Sequence, residues 1–344
     1  MKRALSARLL FTLLIGLCLL ATLLSLAMGP VRLPINDTLA AIVRLAGWPL
    51  AGEAGQAELI IGQIRLPRTL LGLAVGAVLA MSGVAMQGLF RNPLADPVLV
   101  GVSSGAALGA ALAIVGGIWW ASLPTVLQPY LVSLSAVAGG LLVTGIVYRL
   151  GRRDGQTSVA TMLLAGIALT ALATSVIGLL TYLADDATLR TLTFWNLGSL
   201  NGASYVRLWP LLPVCLLIIL WLPRRAKALN ALLLGESEAR HLGVDVQALK
   251  RELVFCTALG VGAAVAAAGL IGFIGLIVPH LVRLLCGPDH RVLLPASALA
   301  GASLLLFADL FARQVLAPAE LPIGIVTALL GGPFFLYLLV RGAR

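Results

Sequence analysis

The sequence contains very little lysine. Among its 344 residues, Lys2, Lys227 and Lys250 are the only lysines, and none lies in a G-x-x-x-x-G-K-[ST] segment. A phosphate-binding loop of that kind needs its lysine to reach the β- and γ-phosphates of a nucleotide. If this protein moves a solute at the expense of ATP, a separate partner must therefore hydrolyse the nucleotide.

Charge of either sign is also scarce. Charged residues make up 11% of the chain and hydrophobic residues 60%, whereas a soluble domain carries about 25% charged residues. No long stretch is polar enough to form a separate soluble domain, so we predict one transmembrane domain over residues 1–344. The net charge of +10 comes from short basic clusters between apolar runs. That pattern is typical of membrane-protein loops and does not indicate a nucleic-acid partner.

Cysteines are few and scattered. The four cysteines, Cys18, Cys215, Cys256 and Cys286, lie in or beside apolar runs, and no C-x-x-C pair occurs. Neither a disulfide framework nor a metal site is therefore expected.

Apolar sequence of membrane-spanning length is abundant. Ten runs predict transmembrane helices, near residues 9–28, 69–90, 98–118, 130–148, 159–183, 206–222, 253–271, 273–286, 293–314 and 322–340. The first run follows basic residues, as in a signal peptide, but it is too long for one, so we predict an uncleaved helix. The eighth run is short and bounded by glycine and proline, which favours a half-helix.

The basic residues predict the orientation of these spans. With the N-terminus in the cytoplasm, the alternating loops place 17 of the 24 lysines and arginines on the cytoplasmic side. This asymmetry agrees with the positive-inside rule and predicts that both termini are cytoplasmic.

Two connecting segments are too long to be simple turns. Residues 29–64 are predicted to form an outer loop that contains proline, glycine and asparagine. Residues 223–250 are predicted to lie inside, and their leucine spacing indicates two short helices, at about residues 229–243, with an exposed apolar face. Such a face suits a docking partner, and a helix lying on lipid headgroups is the alternative.

Glycine is frequent, with 37 residues. Gly72 and Gly76, and then Gly101, Gly105 and Gly109, recur at four-residue spacing. This spacing predicts close helix–helix packing.

Six segments carry more information than composition does. In chain order they read IRLPR (64–68), FRNPLADPVLVGVSSGA (90–106), FWNLGSL (194–200), LGESEARHLG (234–243), GLIGFIGLIVPHLVR (269–283) and AELPIGIVTALLGGPF (319–334). In order and spacing they resemble the permease subunits of type II ABC importers, the family that takes up iron-siderophores, haem and cobalamin. The match extends from about Gln63 to Leu339, which is nearly the whole chain.

The resemblance implies an all-α integral membrane protein with about ten transmembrane helices, which works as a homodimer in the bacterial inner membrane. It also implies two cytoplasmic ABC ATPase subunits, a periplasmic substrate-binding protein and a substrate path along the two-fold axis. The subunit itself is expected to be no enzyme and to bind no cofactor of its own. The missing phosphate-binding loop and the docking face in residues 223–250 agree with this expectation.

Arginines at the outer side are candidates for docking the binding protein. Arg65 and Arg68 lie about one turn apart at the outer start of the second span. Such a pair can hold carboxylates in bidentate geometry, and the resemblance implies that both, together with Arg313, face acidic residues of the binding protein. Contact with lipid headgroups is the alternative. Asp309 and Arg313 are spaced i, i+4, which predicts an ion pair on one helix face.

The resemblance also assigns roles at the cytoplasmic side. The coupling residues, expected to sit in a cleft of the ATPase, are Glu236, Arg240, His241, Leu242 and Gly243. Asn92 and Leu94 are expected to help close the cytoplasmic gate, opposite residues 156–161. Asn92 followed by proline is also a simple helix stop.

Residues 184–205, after the fifth span, are the best candidates for substrate contact. Arg190 offers charge, Phe194 and Trp195 offer flat apolar area, and Asn196 offers a polar group. A planar macrocycle with two propionates suits arginine and aromatic side chains, and this segment resembles the haem branch of the family. Haem is thus the expected cargo, with a ferric siderophore and then a corrinoid as alternatives. Trp195 also fits an interfacial belt.

Two other classes of function fit the sequence less well. An ion-coupled carrier needs carboxylates within the membrane, and Asp309 is nearly the only acidic residue in a predicted span, with Arg313 as its partner. An intramembrane enzyme is the second: the chain has no H-E-x-x-H segment, and Ser103 and Ser104 have no histidine at a nearby outer or mid-membrane position.

Overall fold

The computed structural model describes residues 6–31, 33–45, 47–48, 55–118, 124–153, 155–317 and 319–342. Its α-helices are α1 (Ala7–Ala27), α2 (Ile35–Leu45), α3 (Gln56–Leu59), α4 (Leu66–Phe90), α5 (Val102–Val115), α6 (Leu131–Leu150), α7 (Val159–Leu183), α8 (Asp186–Asn196), α9 (Tyr205–Arg224), α10 (Ala226–Leu233), α11 (Glu236–His241), α12 (Val246–Ala268), α13 (Ile274–Cys286), α14 (His290–Val315) and α15 (Ile323–Gly342). Two short antiparallel strands, β1 (Arg152–Arg153) and β2 (Gln156–Thr157), lie between α6 and α7. Of the basic residues used for orientation, Lys2, Arg3, Arg32 and Arg344 lie outside the described residues.

Each predicted span coincides with an apolar helix of the structure. In the described part of the chain, seven helices are long and apolar enough to cross a membrane, and three shorter apolar helices, Val102–Val115, Ile274–Cys286 and Ile323–Leu338, accompany them. The all-α membrane fold is therefore confirmed. The number of crossings stays a prediction, because α5 with 14 residues and α13 with 13 residues fall below the roughly 20 residues that a full span needs.

The outer segment 29–64 contains helices that the sequence analysis treated as loop. In α2, Thr38 and Ala41 are buried while Ile35 and Leu39 are exposed. From Gln56 onward the chain is already helical and continues through a π-helical stretch, Ile60–Arg65, into α4. The loop interpretation was wrong because these helices are short and amphipathic, so they lack the long apolar run that marks a span.

Helix α4 is the centre of the bundle. Twenty of its 25 residues are buried, and it packs against α9, α12, α13 and α14. A Cβ on Gly76 would overlap the carbonyl of Gly301, and a Cβ on Gly83 would overlap the carbonyl of Gly275. The backbones are thus in direct contact, which glycine alone permits.

The predicted packing glycines behave as expected in α5 also. A Cβ on Gly105 would overlap the carbonyl of Gly139, and a Cβ on Gly109 would overlap that of Ser135 in α6. Gly101 instead adopts a left-handed conformation, with φ of +75°, just before α5 begins.

The short helix α13 confirms the predicted half-helix. It has 13 residues and begins after Phe273, whose φ is +67°. The irregular segment before it packs on the connection between α8 and α9. Ser199 N donates to Ala268 O at 2.8 Å, and Gly324 N donates to Gly198 O at 3.4 Å. These bonds join the end of α12 and the start of α15 to the predicted substrate segment.

Helix α7 has little packing within the chain. Of its 25 residues, Met162, Gly166 and Ala173 are buried. Following the charge prediction, we call the end of the bundle that carries Arg91, Arg149 and Arg224 the cytoplasmic end, and the opposite end, with α8, the outer end.

Candidate functional site

A buried ion cluster lies at the outer end of α4 and α14. Arg68 donates from Nη2 to Asp309 Oδ1 at 2.8 Å and from Nε to both carboxylate oxygens at 3.1 Å. Its Nη1 donates to both carboxylate oxygens of Glu320 at 3.0 Å. Asp309 is 1% exposed. The cluster therefore ties α4, α14 and the segment before α15 together through charge-assisted hydrogen bonds in a dry site.

The other two outer arginines hold the end of α1. Arg65 Nη1 donates to Leu26 O at 2.8 Å, one of the carbonyls that a helix C-terminus leaves without a partner. Arg313 pairs through Nε with Asp309 Oδ2 at 3.0 Å, and its Nη2 donates to Ser25 Oγ at 3.1 Å. The predicted ion pair between Asp309 and Arg313 is confirmed.

These contacts change the physical basis of the predicted docking role. Arg65, Arg68 and Arg313 are all buried, and their guanidinium groups donate to acceptors within the chain. The bidentate carboxylate geometry predicted for Arg68 is present, but Asp309 and Glu320 of this chain supply the carboxylates. That a binding protein docks at these three residues stays a prediction.

A cavity of about 670 Å³ opens at the outer end. Arg190, Phe194 and Trp195 of α8 line it, as the predicted substrate pathway requires. Asn196, the last residue of α8, is half-buried and is not among the lining residues. Arg190 is exposed and forms neither a hydrogen bond nor an ion pair within the described part of the chain.

Two charged residues of this cavity were missed by the sequence analysis. Arg207 lines the wall from the first turn of α9, and its Nη1 donates to Asn201 O at 3.4 Å. Glu320, which also bonds Arg68, lines the wall from the segment before α15. Arg207 lies in none of the six family segments, and Glu320 lies in the segment 319–334 without an assigned role. Only tertiary packing brings either residue to α8. The cavity thus presents two cations, one anion and two aromatic side chains to the outer side.

The helix that carries the pathway residues is fixed by a side-chain cap. Asp185 precedes α8, and its carboxylate accepts a hydrogen bond from Thr188 N at 2.7 Å. That bond holds the pKa of the Asp185 carboxyl below its ordinary value, because it stabilises the charged form. The negative charge also suits the N-terminus of α8.

The predicted cytoplasmic gate residues lie in the turn that ends α4. Arg91 has a left-handed conformation, with φ of +50°, and Asn92 Oδ1 accepts from Leu94 N at 2.9 Å. Asn92 is exposed and Leu94 is half-buried. No hydrogen bond joins Asn92 to residues 156–161 among the described residues. The turn therefore has the helix-stop geometry, and the gating role stays a prediction.

The two predicted cytoplasmic helices are present as α10 and α11, but their apolar faces are divided. Leu229 and Leu232 of α10 are fully buried against the bundle. The exposed apolar side chains are Leu233, Leu234 and Leu242. The predicted exposed apolar face is therefore present only in part, because Leu229 and Leu232 anchor α10 to the bundle.

A buried lysine connects α11 to the start of α7. Lys250 of α12 is 1% exposed, and its Nζ donates to Glu236 Oε1 at 2.7 Å and to Thr157 O at 2.9 Å. Gln247 Oε1 accepts from Thr157 N at 3.1 Å. Glu236 also lies 3.7 Å from Arg240. In the sequence Lys250 stands out only as a cytoplasmic charge, and its place among apolar positions of α12 is the signal that indicates burial.

A second polar contact fixes α10 to α14. Asn230 Nδ2 donates to Asp289 Oδ1 at 2.6 Å, and Asn230 Oδ1 accepts from His290 N at 2.9 Å. Asp289 caps α14 by accepting from Arg291 N at 3.0 Å. That hydrogen bond, and then the one from Asn230, lower the pKa of the Asp289 carboxyl. His241, predicted for ATPase contact, lies apart from this cluster at the exposed end of α11.

Comparison with known proteins places this arrangement in one family. The sequence profile of the FecCD transport family matches residues 17–341. The hemin transport system permease protein HmuU of Yersinia pestis is 50% identical over 282 residues, which cover 81% of this chain and 82% of that protein. The vitamin B12 import system permease protein BtuC of Salmonella typhi is 45% identical over 329 residues, covering 95% and 94% respectively.

A solved structure has the same fold over nearly its full length. It is a metal-chelate type ABC transporter in an inward-facing conformation, with a TM-score of 0.83 and 34% identity, and the match covers 97% of this chain and 99% of that one. The chain belongs to the FecCD transport family and is a multi-pass membrane permease subunit of the type II ABC importer class.

Proposed function

We propose that this chain is the permease of an ATP-driven importer that moves haem across the inner membrane of a bacterium. The observation that carries the proposal is the outer cavity, where Arg190 and Arg207 lie with Phe194 and Trp195 around about 670 Å³. A planar macrocycle with two carboxylates complements two guanidinium groups and aromatic faces. The 50% identity to a hemin permease supports the same cargo.

The permease functions as a homodimer in this proposal. The support is helix α7, which has 25 residues and exposes most of its apolar side chains. A helix of this composition is suited to contact with a second subunit or with lipid. A two-fold axis beside α7 places two such helices face to face and forms a path between them. Haem is the cargo of that path, and the subunit holds no cofactor of its own.

Two cytoplasmic ABC ATPases dock on α10 and α11. The exposed Leu233, Leu234 and Leu242 offer apolar contact, next to the matched coupling residues Glu236, Arg240, His241 and Gly243. ATP binding closes the ATPases, and the coupling helices pass that motion to the bundle. Asn92 and Leu94 lie at the cytoplasmic end of the path and close it between cycles.

A periplasmic binding protein delivers the cargo at the outer end. Arg65, Arg68 and Arg313 stabilise that end from within. Glu320 pairs with Arg68 alongside Asp309 and is partly exposed, with 17% of its side-chain area accessible. An acidic residue of the docked partner replaces Glu320 as the carboxylate that pairs with Arg68 Nη1.

The proposal is tested by uptake into proteoliposomes. The chain is reconstituted with its ATPase and binding protein, and haem, a ferric siderophore and cobalamin are supplied in turn. ATP-dependent accumulation of haem alone is the expected result. Accumulation of a siderophore or cobalamin instead overturns the haem assignment, and uptake without ATP overturns the ABC importer mechanism.

A variant pair sharpens the assignment of the cavity. Arg190→Ala should lower haem uptake about tenfold, which corresponds to the loss of one charged contact of roughly 1.4 kcal/mol. Arg44→Ala is the control, because Arg44 is also an arginine of the outer end but lies away from the cavity lining, in a half-buried pair with Glu58 at 3.6 Å. Equal uptake by both variants removes the charge-recognition argument.

A further inference from the structure

The Lys250 contacts meet where three cytoplasmic elements converge. Glu236 begins α11, Lys250 lies in the second turn of α12, and Thr157 ends β2 just before α7. Lys250 Nζ lies 2.7 Å from Glu236 Oε1 and 2.9 Å from Thr157 O. One ammonium group therefore bonds both the coupling helix and the chain entering α7.

Packing of the helices does not by itself require a charged side chain at Lys250. A fully buried ammonium loses its hydration, and this loss is costly unless the group is paired and hydrogen-bonded. Methionine at this position would avoid the desolvation of the ammonium, but it would leave Glu236 and Thr157 O without this donor. The pairing with Glu236 and Thr157 thus gives specificity of position more than packing.

Helix α7 depends on such an anchor. Since Met162, Gly166 and Ala173 are its buried residues, side-chain packing along its length constrains it weakly. A Cβ on Gly166 would overlap the carbonyl of Leu99, in the segment that follows the predicted gate turn. The position of α7 therefore sets the surface next to that turn, and its cytoplasmic end is fixed by Ser158 and Thr157.

We propose that Lys250 is a positioning residue that makes α7 follow the movement of α11. When an ATPase displaces α11, the bond between Glu236 and Lys250 carries the displacement to Thr157 and so to the first turn of α7. The inference rests on the proposed docking of ATPases at α10 and α11. Lys250 contacts neither the cargo nor the ATPase in this scheme.

The test uses the complete reconstituted complex and the ratio of cargo imported to ATP hydrolysed. Lys250→Met should keep ATP hydrolysis near the wild-type rate and lower this ratio about tenfold, within the usual range of coupling between sites. Glu236→Gln should lower the ratio less, because the amide oxygen still accepts a hydrogen bond from Lys250. Lys250→Arg should restore most of the coupling, since a guanidinium can donate to both acceptors.

Lys227→Met is the matched control. Lys227 is exposed in the first turn of α10, before the proposed docking side chains that begin at Leu233. The same substitution there removes a cytoplasmic charge without touching the Lys250 contacts. It should leave the ratio of cargo to ATP unchanged.

Spin labels at Ala160 provide a direct readout of α7. Ala160 is exposed in the first turn of α7, and one label on each copy measures the separation of the two helices. The separation should change with nucleotide in the wild type and stay constant in Lys250→Met, even where both proteins assemble equally. A misfolded variant would instead lose assembly and ATP hydrolysis together.

The outcomes separate this inference from the proposed function. Wild-type complex that shows no ATP-dependent uptake contradicts the importer proposal itself. If Lys250→Met imports as much cargo per ATP as the wild type and shows the same movement of α7, the role of Lys250 is overturned and the importer proposal stands. Failure of Lys250→Met to assemble while Lys250→Arg assembles but stays uncoupled also overturns it, because a charged group in place would then not suffice.

Discussion

Helices α4 and α7 have the same length and similar apolar composition, yet the chain buries them very differently. Each has 25 residues, of which α4 buries 20 and α7 buries three. Helix α4 contacts its neighbours through glycine backbones and carries a buried arginine at its outer end. Helix α7 presents leucines, threonines and serines outward. Hydropathy therefore identifies a membrane helix without telling whether it forms the scaffold or faces a partner.

The difference divides the molecule by function. The scaffold of α4, α12, α13 and α14 is held by backbone contact and by the outer ion cluster. The exposed apolar surfaces are most of α7, Phe194 of α8, and the three cytoplasmic leucines Leu233, Leu234 and Leu242. Elements that move or meet partners are expected to have few contacts within their own chain.

The largest expected effect comes from overfilling the scaffold. Gly83→Leu should abolish recovery of folded subunit, because its side chain would enter the backbone of Gly275. The cost should exceed about 5 kcal/mol, a range in which single substitutions prevent folding. The yield of monodisperse protein in detergent measures it, and normal yield would contradict the described contact between α4 and α13.

The second effect concerns the outer ion cluster. Arg68→Met should destabilise the isolated subunit by about 3–5 kcal/mol, as when one partner of a buried ion pair is removed. The thermal unfolding midpoint in detergent measures this loss. Glu320→Gln is the milder control, since Glu320 is partly exposed and Asp309 remains on Arg68. A purely docking role for Arg68 predicts instead normal unfolding and weaker binding of the binding protein.

A third, smaller effect tests the uncovered leucines at the cytoplasmic end. Leu234→Asp should weaken ATPase binding about tenfold, or roughly 1.4 kcal/mol, while the subunit folds normally, because Leu234 is 67% exposed. Leu232→Asp, two positions earlier and fully buried, should prevent folding. Co-purification with the ATPase and gel-filtration profiles distinguish the two. Unchanged ATPase binding by Leu234→Asp would indicate a lipid-facing helix.

The smallest effect is expected in α7 itself. A Cβ on Gly178 would meet nothing within 4 Å, so Gly178→Leu should fold normally and gain up to about 1 kcal/mol from helix propensity. The comparison with Gly83→Leu isolates packing, because the substitution is the same. Loss of the dimer with a folded monomer would show that Gly178 contacts the second copy.

The sequence by itself determined the membrane class, the positions of the apolar helices and the family. Those properties follow from runs of apolar residues, from charge asymmetry and from six ordered segments, all of which are local in the chain. The glycine spacing in α4 and α5 and the i, i+4 pair of Asp309 and Arg313 were also predictable, because a helix fixes which residues share a face.

Tertiary structure alone decided which charged groups form hydrogen bonds or ion pairs within the chain and which remain exposed. Arg68 and Glu320 are far apart in the sequence, as are Lys250 and Thr157, and each pair is joined only when distant helices pack. Burial then forces each charge to find an acceptor, since an unpaired charge in a dry site is costly. For this reason Arg65, Arg68 and Arg313, which the resemblance assigns to docking, donate hydrogen bonds within the chain. Lys250, a minor feature of the sequence, joins α12 to α11 and to the start of α7.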